Sequence, residues 1–316
     1  MSKILEAVAR HATTLLFFCI FAGLIFPDLP PLFSPYLGVF VWLVLFLSMV
    51  QDDWTGTVRF VKRPGLVIGI GIWLLLVSPG LAWLLGKGLS LDGALLAAAV
   101  LWTASPPLMG SPALARFVGL DAPISLGVLL TVTAAAPFVM PVVVLVLLGL
   151  DLDVGVGEML LRLAVFVGSA FLAALLFRRV LGDGGRRRFA PGFDAGLVAA
   201  LILFALGIVD GLAARFADDP GHVLRILAFV VGLTALLFVS GGLAFLFLGR
   251  RFALTVGLSS GLRNMAILLG AVPAAVNAEI LLFLAVAQFP IYMAPAMLKP
   301  LARRLAAGGD GPASGK

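Results

Sequence analysis

Apolar residues fill long runs along nearly the whole chain, and short clusters of Gly, Pro and charge interrupt them. A membrane-crossing helix needs about 20 such residues. With the Gly/Pro breaks and charges as boundaries, the pattern predicts ten spans. They lie at about residues 12–27, 36–50, 64–86, 91–118, 121–149, 157–180, 193–214, 222–249, 252–275 and 278–303. The fold class expected is an all-α polytopic membrane protein, with residues 1–305 as one transmembrane domain. The polar tail "AAGGDGPASGK", residues 306–316, is expected to be disordered. "FPDLPPLFSP" after the first run offers no small-residue cleavage site, so that run is expected to be a retained span.

Ten spans divide into five plus five, and an odd-numbered repeat must insert its second copy upside down. Inverted repeats are common in secondary transporters, which bind substrate at the midplane between interrupted helices. That architecture predicts two breaks at matching places. Span 4 carries "TASPPLMGSP", with Pro106, Pro107, Gly110 and Pro112. Span 9 carries Ser259, Ser260 and Gly261. These are the fourth spans of the two halves, and the expectation is that they break near 104–112 and 258–263 and cross. Residue similarity between the halves is weak, so the symmetry rests on hydropathy and breaks.

Composition excludes a soluble core with one anchor. The chain is 62% hydrophobic and 12% charged, against about 45–50% and about 25% for soluble domains. The net charge of +6 does not point to nucleic acid, because the cations sit at span ends. With the N-terminus inside, inner segments hold 17 of the 22 Lys and Arg residues and outer ends hold four; the last is Arg263. Such asymmetry orients a protein with positive loops cytoplasmic. The expectation is a cell (inner) membrane protein with both termini cytoplasmic, in contact with the lipid bilayer. The single Cys19 excludes an intrachain disulfide and a thiolate cluster. No HExxH or Asp-rich metal motif occurs, and no span has a midplane carboxylate, so an intramembrane enzyme is disfavoured. No metal or cofactor is expected. The GxG of "GIGIWLLLVSPG" follows no strand and is not a nucleotide fingerprint.

The candidate chemistry lies at the breaks. Proline removes a backbone donor and clashes with the preceding turn, and bare carbonyls and amides are costly in hydrocarbon. Ser105, Ser111, Thr103 and exposed backbone at the first break are candidates to line a polar cavity. Arg263 lies 11 residues past Phe252, or ~16 Å into the bilayer. A charge there costs at least ~2.5–3.5 kcal/mol. Two readings stand. Arg263 caps carbonyls freed by the breaks, or its planar fork binds an anionic substrate; the two can alternate. Asn264 adds a donor and an acceptor. Gln288 and Tyr292 share a helix face, as interhelical contacts or as ligand contacts. Thr131 and Thr133 read as packing residues, and His222 as a solvated helix start.

This order of features resembles the bile acid:sodium symporter family. The resemblance is carried by "VKRPG" opening span 3, with Pro79 and Ala82 further along it. The proline-glycine break of span 4, "TVTAAAPFVMPVV" in span 5 and above all "SSGLRN", Ser259–Asn264, carry it too. It implies a panel of helices at about 12–50 and 157–214, and a core at about 64–149 and 222–303. Rocking of one on the other would expose the site alternately. Sodium-coupled members typically carry Glu where Ser259 stands and Gln where Arg263 stands. They also use a Gln in span 3, where Trp73–Leu76 is apolar, and a Ser-Asn pair without an equivalent near Gly110–Pro112. The related arsenite permeases use a thiol at the span 4 break, and none is present there. The resulting expectation is an alternating-access transporter of a small organic anion, a carboxylate or sulfate, not coupled to sodium. The alternatives are a sodium-coupled symporter and a non-transporting sensor or channel on the same fold.

Overall fold

The computed structural model describes residues 12–51, 60–91, 93–149, 155–272 and 276–307. These are helical almost throughout, and six helices among them are long and apolar enough to cross a membrane: Pro30–Gln51, Pro64–Gly88, Ala122–Leu148, Val156–Gly182, Arg188–Asp218 and Pro220–Ala244. The chain is an all-α membrane protein.

The helices are α1 (Ala12–Ile25), α2 (Leu37–Gln51), α3 (Pro64–Ile72), α4 (Ser78–Gly88), α5 (Gly93–Ala104), α6 (Ser111–Phe117) and α7 (Ala122–Leu148). They continue with α8 (Val156–Ile208), α9 (Leu212–Asp218), α10 (Pro220–Ala244), α11 (Arg250–Gly261), α12 (Ala266–Ala271) and α13 (Ala278–Ala307). A π-helical turn, Trp73–Val77, joins α3 to α4 without a break in direction of the chain. The α1 and α2 helices pack chiefly on α8, whereas α10 packs along α11 and α13. Small residues permit the tightest of these contacts. A Cβ on Gly257 would lie 2.6 Å from the Phe238 carbonyl oxygen, and one on Gly261 2.9 Å from that of Thr234. The last turns of α11 therefore lie directly against the backbone of α10.

Three expectations need correction. The polar stretch 183–188, read as a loop between two spans, is helical, and α8 runs through it with only Gly182 (φ 61, ψ 179) off the helical path. Glycine alone enters that region of φ/ψ without strain, so the turn between two spans takes one residue. The expected span 193–214 lies within the span-length stretch Arg188–Asp218 but is not one continuous helix, because a turn at 209–211 separates the end of α8 from α9. His222 is not merely solvated: its Nε2 lies 3.0 Å from the Glu279 carboxylate, which also meets Arg215 at 3.6 Å. Of the tail, residues 308–316 lie outside the described residues.

Candidate functional site

The first break begins where two successive residues lack an N–H. In a continuous helix, residues 106 and 107 would donate to the carbonyls of Trp102 and Thr103; both are proline and cannot. The α5 helix ends at Ala104, and α6 starts at Ser111. Pro112 sits in the first turn of α6, a position that tolerates it. The expected break at 104–112 is thus observed between the two helices. The second break lies slightly later than its expected position. Ser259 and Ser260 are still helical, with their hydroxyls turned back to the carbonyls of Thr255 and Val256 at 3.1 and 2.8 Å. The α11 helix ends at Gly261, Leu262 is extended (φ −108, ψ 110), and α12 starts at Ala266.

The two extended segments cross and pair. The Leu108 N–H donates to the Leu262 carbonyl at 2.9 Å, and the Asn264 N–H to the Pro106 carbonyl at 2.8 Å. Together they make an antiparallel bridge between Pro107 and Arg263. Each break thereby supplies the partners the other lost, as hydrocarbon demands.

Arg263 closes the arrangement. It is fully buried, with 0% of its surface exposed. Its Nε donates to the Ser260 carbonyl at 2.9 Å, Nη1 to that of Ser105 at 3.0 Å, and Nη2 to that of Leu74 at 3.2 Å. Each acceptor is free for a local reason. The partner for Ser260 would be the Asn264 N–H, which crosses to Pro106 instead. The Ser105 carbonyl faces the open break. Leu74 lies in the π turn, where its partner would be five residues on, at Pro79, which has no N–H. The Trp73 Nε1–H further ties this turn to α11 through the Ser260 hydroxyl, at 3.0 Å. One guanidinium thus joins three interrupted segments. Among the described residues no carboxylate contacts it, so its charge is met only by carbonyl dipoles.

A cavity of about 1020 Å³ runs to this crossing. Arg263, Asn264 and Gln288 are at its deep end together with Met265 and Ala266. Val41, Val44, Leu197, Val198, Leu201 and Phe204 form an apolar wall, and Arg63, Arg116, Asp121 and Asp194 stand around the mouth. The side-chain amide of Asn264, 9% exposed, has no hydrogen-bond partner among the described residues.

The other predicted site residues differ in what they offer. The Ser105 hydroxyl donates to the Leu101 carbonyl, and Ser111 accepts from Ser125 at 3.3 Å. Both are buried and neither lines the cavity. Gln288 lines it but gives an Nε2–H to the Leu284 carbonyl. Gly110 and Pro112 line it from the first break. The Tyr292 backbone belongs to α13; its side chain lies outside the described residues. The Thr131 hydroxyl bonds its own helix, whereas that of Thr133 is buried without a partner. Sequence reasoning missed the π turn and the role of Leu74, although Pro79 was the signal for both. It also missed that Asp194 and Arg116 line one cavity.

The chain matches no protein-family model and no curated protein. Fold and site define an all-α membrane protein in which two interrupted helices cross on a buried arginine at the floor of a large cavity.

Proposed function

We propose that this protein is a secondary transporter of a small organic anion that works by alternating access without sodium coupling. The observation that carries the reading is the floor of the cavity. An unpartnered Asn264 amide sits beside a buried guanidinium whose charge no carboxylate neutralises. Intramembrane charges of this kind are expensive and serve solute paths. In a low-dielectric site the charge attracts an anion over several ångströms even though three of its N–H groups already point at carbonyls. Asn264 then supplies the direct contact, and the apolar wall takes the body of the substrate.

The helix order supports a ten-span reading. The α5–α6 and α11–α12 pairs act as interrupted spans four and nine, and α8 supplies two spans that meet at Gly182. An antiparallel crossing of the fourth spans of two halves is what an inverted repeat would produce. By the positive-inside rule the Arg63–Arg116 mouth faces the cytoplasm and the Asp210–Asp219 side faces out. Helices α1, α2 and α8 form the panel, and the rest form the core. This arrangement fits the family resemblance noted in the sequence, and the replaced sodium ligands fit the guanidinium. Arg263 holds together, as a tethered cation, the carbonyl ends that a bound cation would otherwise have to join.

The test is a screen of carboxylates and sulfates by thermal stabilisation of purified protein and by uptake into proteoliposomes. Saturable, competable uptake of at least one anion, with a half-saturating concentration raised about tenfold in Asn264→Ala, is the expected result. Single-channel currents in place of saturable uptake would contradict it.

A further inference from the structure

The large cavity has a counterpart. It reaches Val41 on α2, Phe204 on α8 and Ala266 on α12. A second cavity of about 770 Å³ reaches Gly38, Gly207 and Leu269 of the same three helices, from the end that bears Asp210. On each helix the two residues are three positions apart, or ~4.5 Å of rise. Trp42, next to Val41, also lines the second cavity, so at most about one helical turn separates the two.

The barrier is closed by backbone. A Cβ on Gly38 would lie 3.1 Å from the Gly270 Cα, with the Leu269 and Gly270 carbonyl oxygens next at 3.8 Å. The Phe166 ring covers the other side of Gly270: a Cβ there would sit 2.1 Å from its Cζ. Ile267 and Leu268 fill the turn behind and are buried. So α2 meets the short helix α12 glycine to glycine, with no side chain between the backbones, whereas α8 meets it through the Phe166 ring.

We propose that the two cavities are the two ends of one transport path and that the Gly38–Gly270 contact under Phe166 is its outer gate, shut in this structure. The inference rests on the transporter reading and names the barrier that alternation must open. Gly38 is the decisive position. The atoms it faces are backbone and cannot move aside, whereas the Phe166 ring can swing away from a larger residue at 270. Any side chain at 38 must push α2 from α12. Ala in place of Gly otherwise favours a helix, so lost closure would not come from a weakened α2.

The experiment uses the full chain in proteoliposomes, with Cys19→Ser and a reporter, Ala266→Cys, on the cavity floor. A membrane-impermeant maleimide is added from either side, with no substrate needed. In the background protein the reporter is labelled from the cytoplasmic side. Gly38→Val is expected to raise labelling from the outer side about tenfold and to lower it from the inner side, and Gly38→Ala to shift both in the same direction by less. Gly232→Ala, in a position with no atom within 4 Å, serves as the control and leaves labelling unchanged. If Gly38→Val does not fold, Gly38→Ala alone decides. Outer labelling that stays at background in a folded Gly38 variant overturns the gate. Outer labelling that rises with no fall inside supports the gate but removes alternation, and with it the carrier reading.

Discussion

Arg263 combines two roles that the sequence left open, and the geometry ranks them. Its fork is already engaged by the carbonyls of Ser260, Ser105 and Leu74. Removing it would orphan three buried acceptors at ~1–3 kcal/mol each. Arg263→Ala is therefore expected to destabilise the protein by at least ~3 kcal/mol, seen as a large loss of thermal stability in detergent. Arg263→Lys should recover part of this, because a compact ammonium cannot span three divergent carbonyls as a planar guanidinium does. An alanine variant as stable as the parent would show that the clamp holds nothing together. Asn264 should behave oppositely. Its side chain has no partner to lose, so Asn264→Ala is expected to change stability by no more than ~0.5 kcal/mol. The affinity for the transported anion, measured by isothermal titration, should fall about tenfold, equivalent to ~1.4 kcal/mol. Unchanged affinity would place the substrate elsewhere in the cavity.

At the scale of elements, the interrupted helices were legible and their linkage was not. Consecutive prolines at 106 and 107 dictate a break on local grounds, because two donors vanish in one turn. The second break was legible through Gly261 but mislocated, since the serines before it bond their own helix. Two features were not read from the sequence. Pro79 frees the Leu74 carbonyl locally, but its bond depends on Arg263 lying opposite, far along the chain, and Gly182 takes up the kink because the flanking polar residues stay helical. The π turn offers a test of the linkage. Pro79→Ala returns an N–H that can take the Leu74 carbonyl within the helix, and Arg263 then loses one of its acceptors. The two sites are expected to couple: in the Pro79→Ala background, Arg263→Ala should cost less than in the parent by at least ~0.5 kcal/mol. Strict additivity in that double-mutant cycle would mean that the π turn and the arginine act independently.

At the scale of the whole molecule, helices packed around α8 and helices packed around α10 both line the large cavity, the inner end of the proposed path. The fixed cation lies where the interrupted helices cross and joins their carbonyl ends without an ion from solution. A sodium ion beside Arg263 would meet like-charge repulsion at low dielectric and would find no carboxylate to bind it. The crossing was partly legible, since the two breaks at matching places indicated interrupted helices. The one-turn barrier was not, because it depends on how Gly38 and Gly270 meet across more than two hundred residues of chain. The most direct measurement is uptake of an anion identified by the screen, into proteoliposomes, in sodium against choline at matched ionic strength. Equal initial rates and equal half-saturating substrate concentrations in the two salts are expected. A saturable, several-fold stimulation specific to sodium would contradict the account, because backbone carbonyls and hydroxyls would then bind a mobile cation that Arg263 was held to replace.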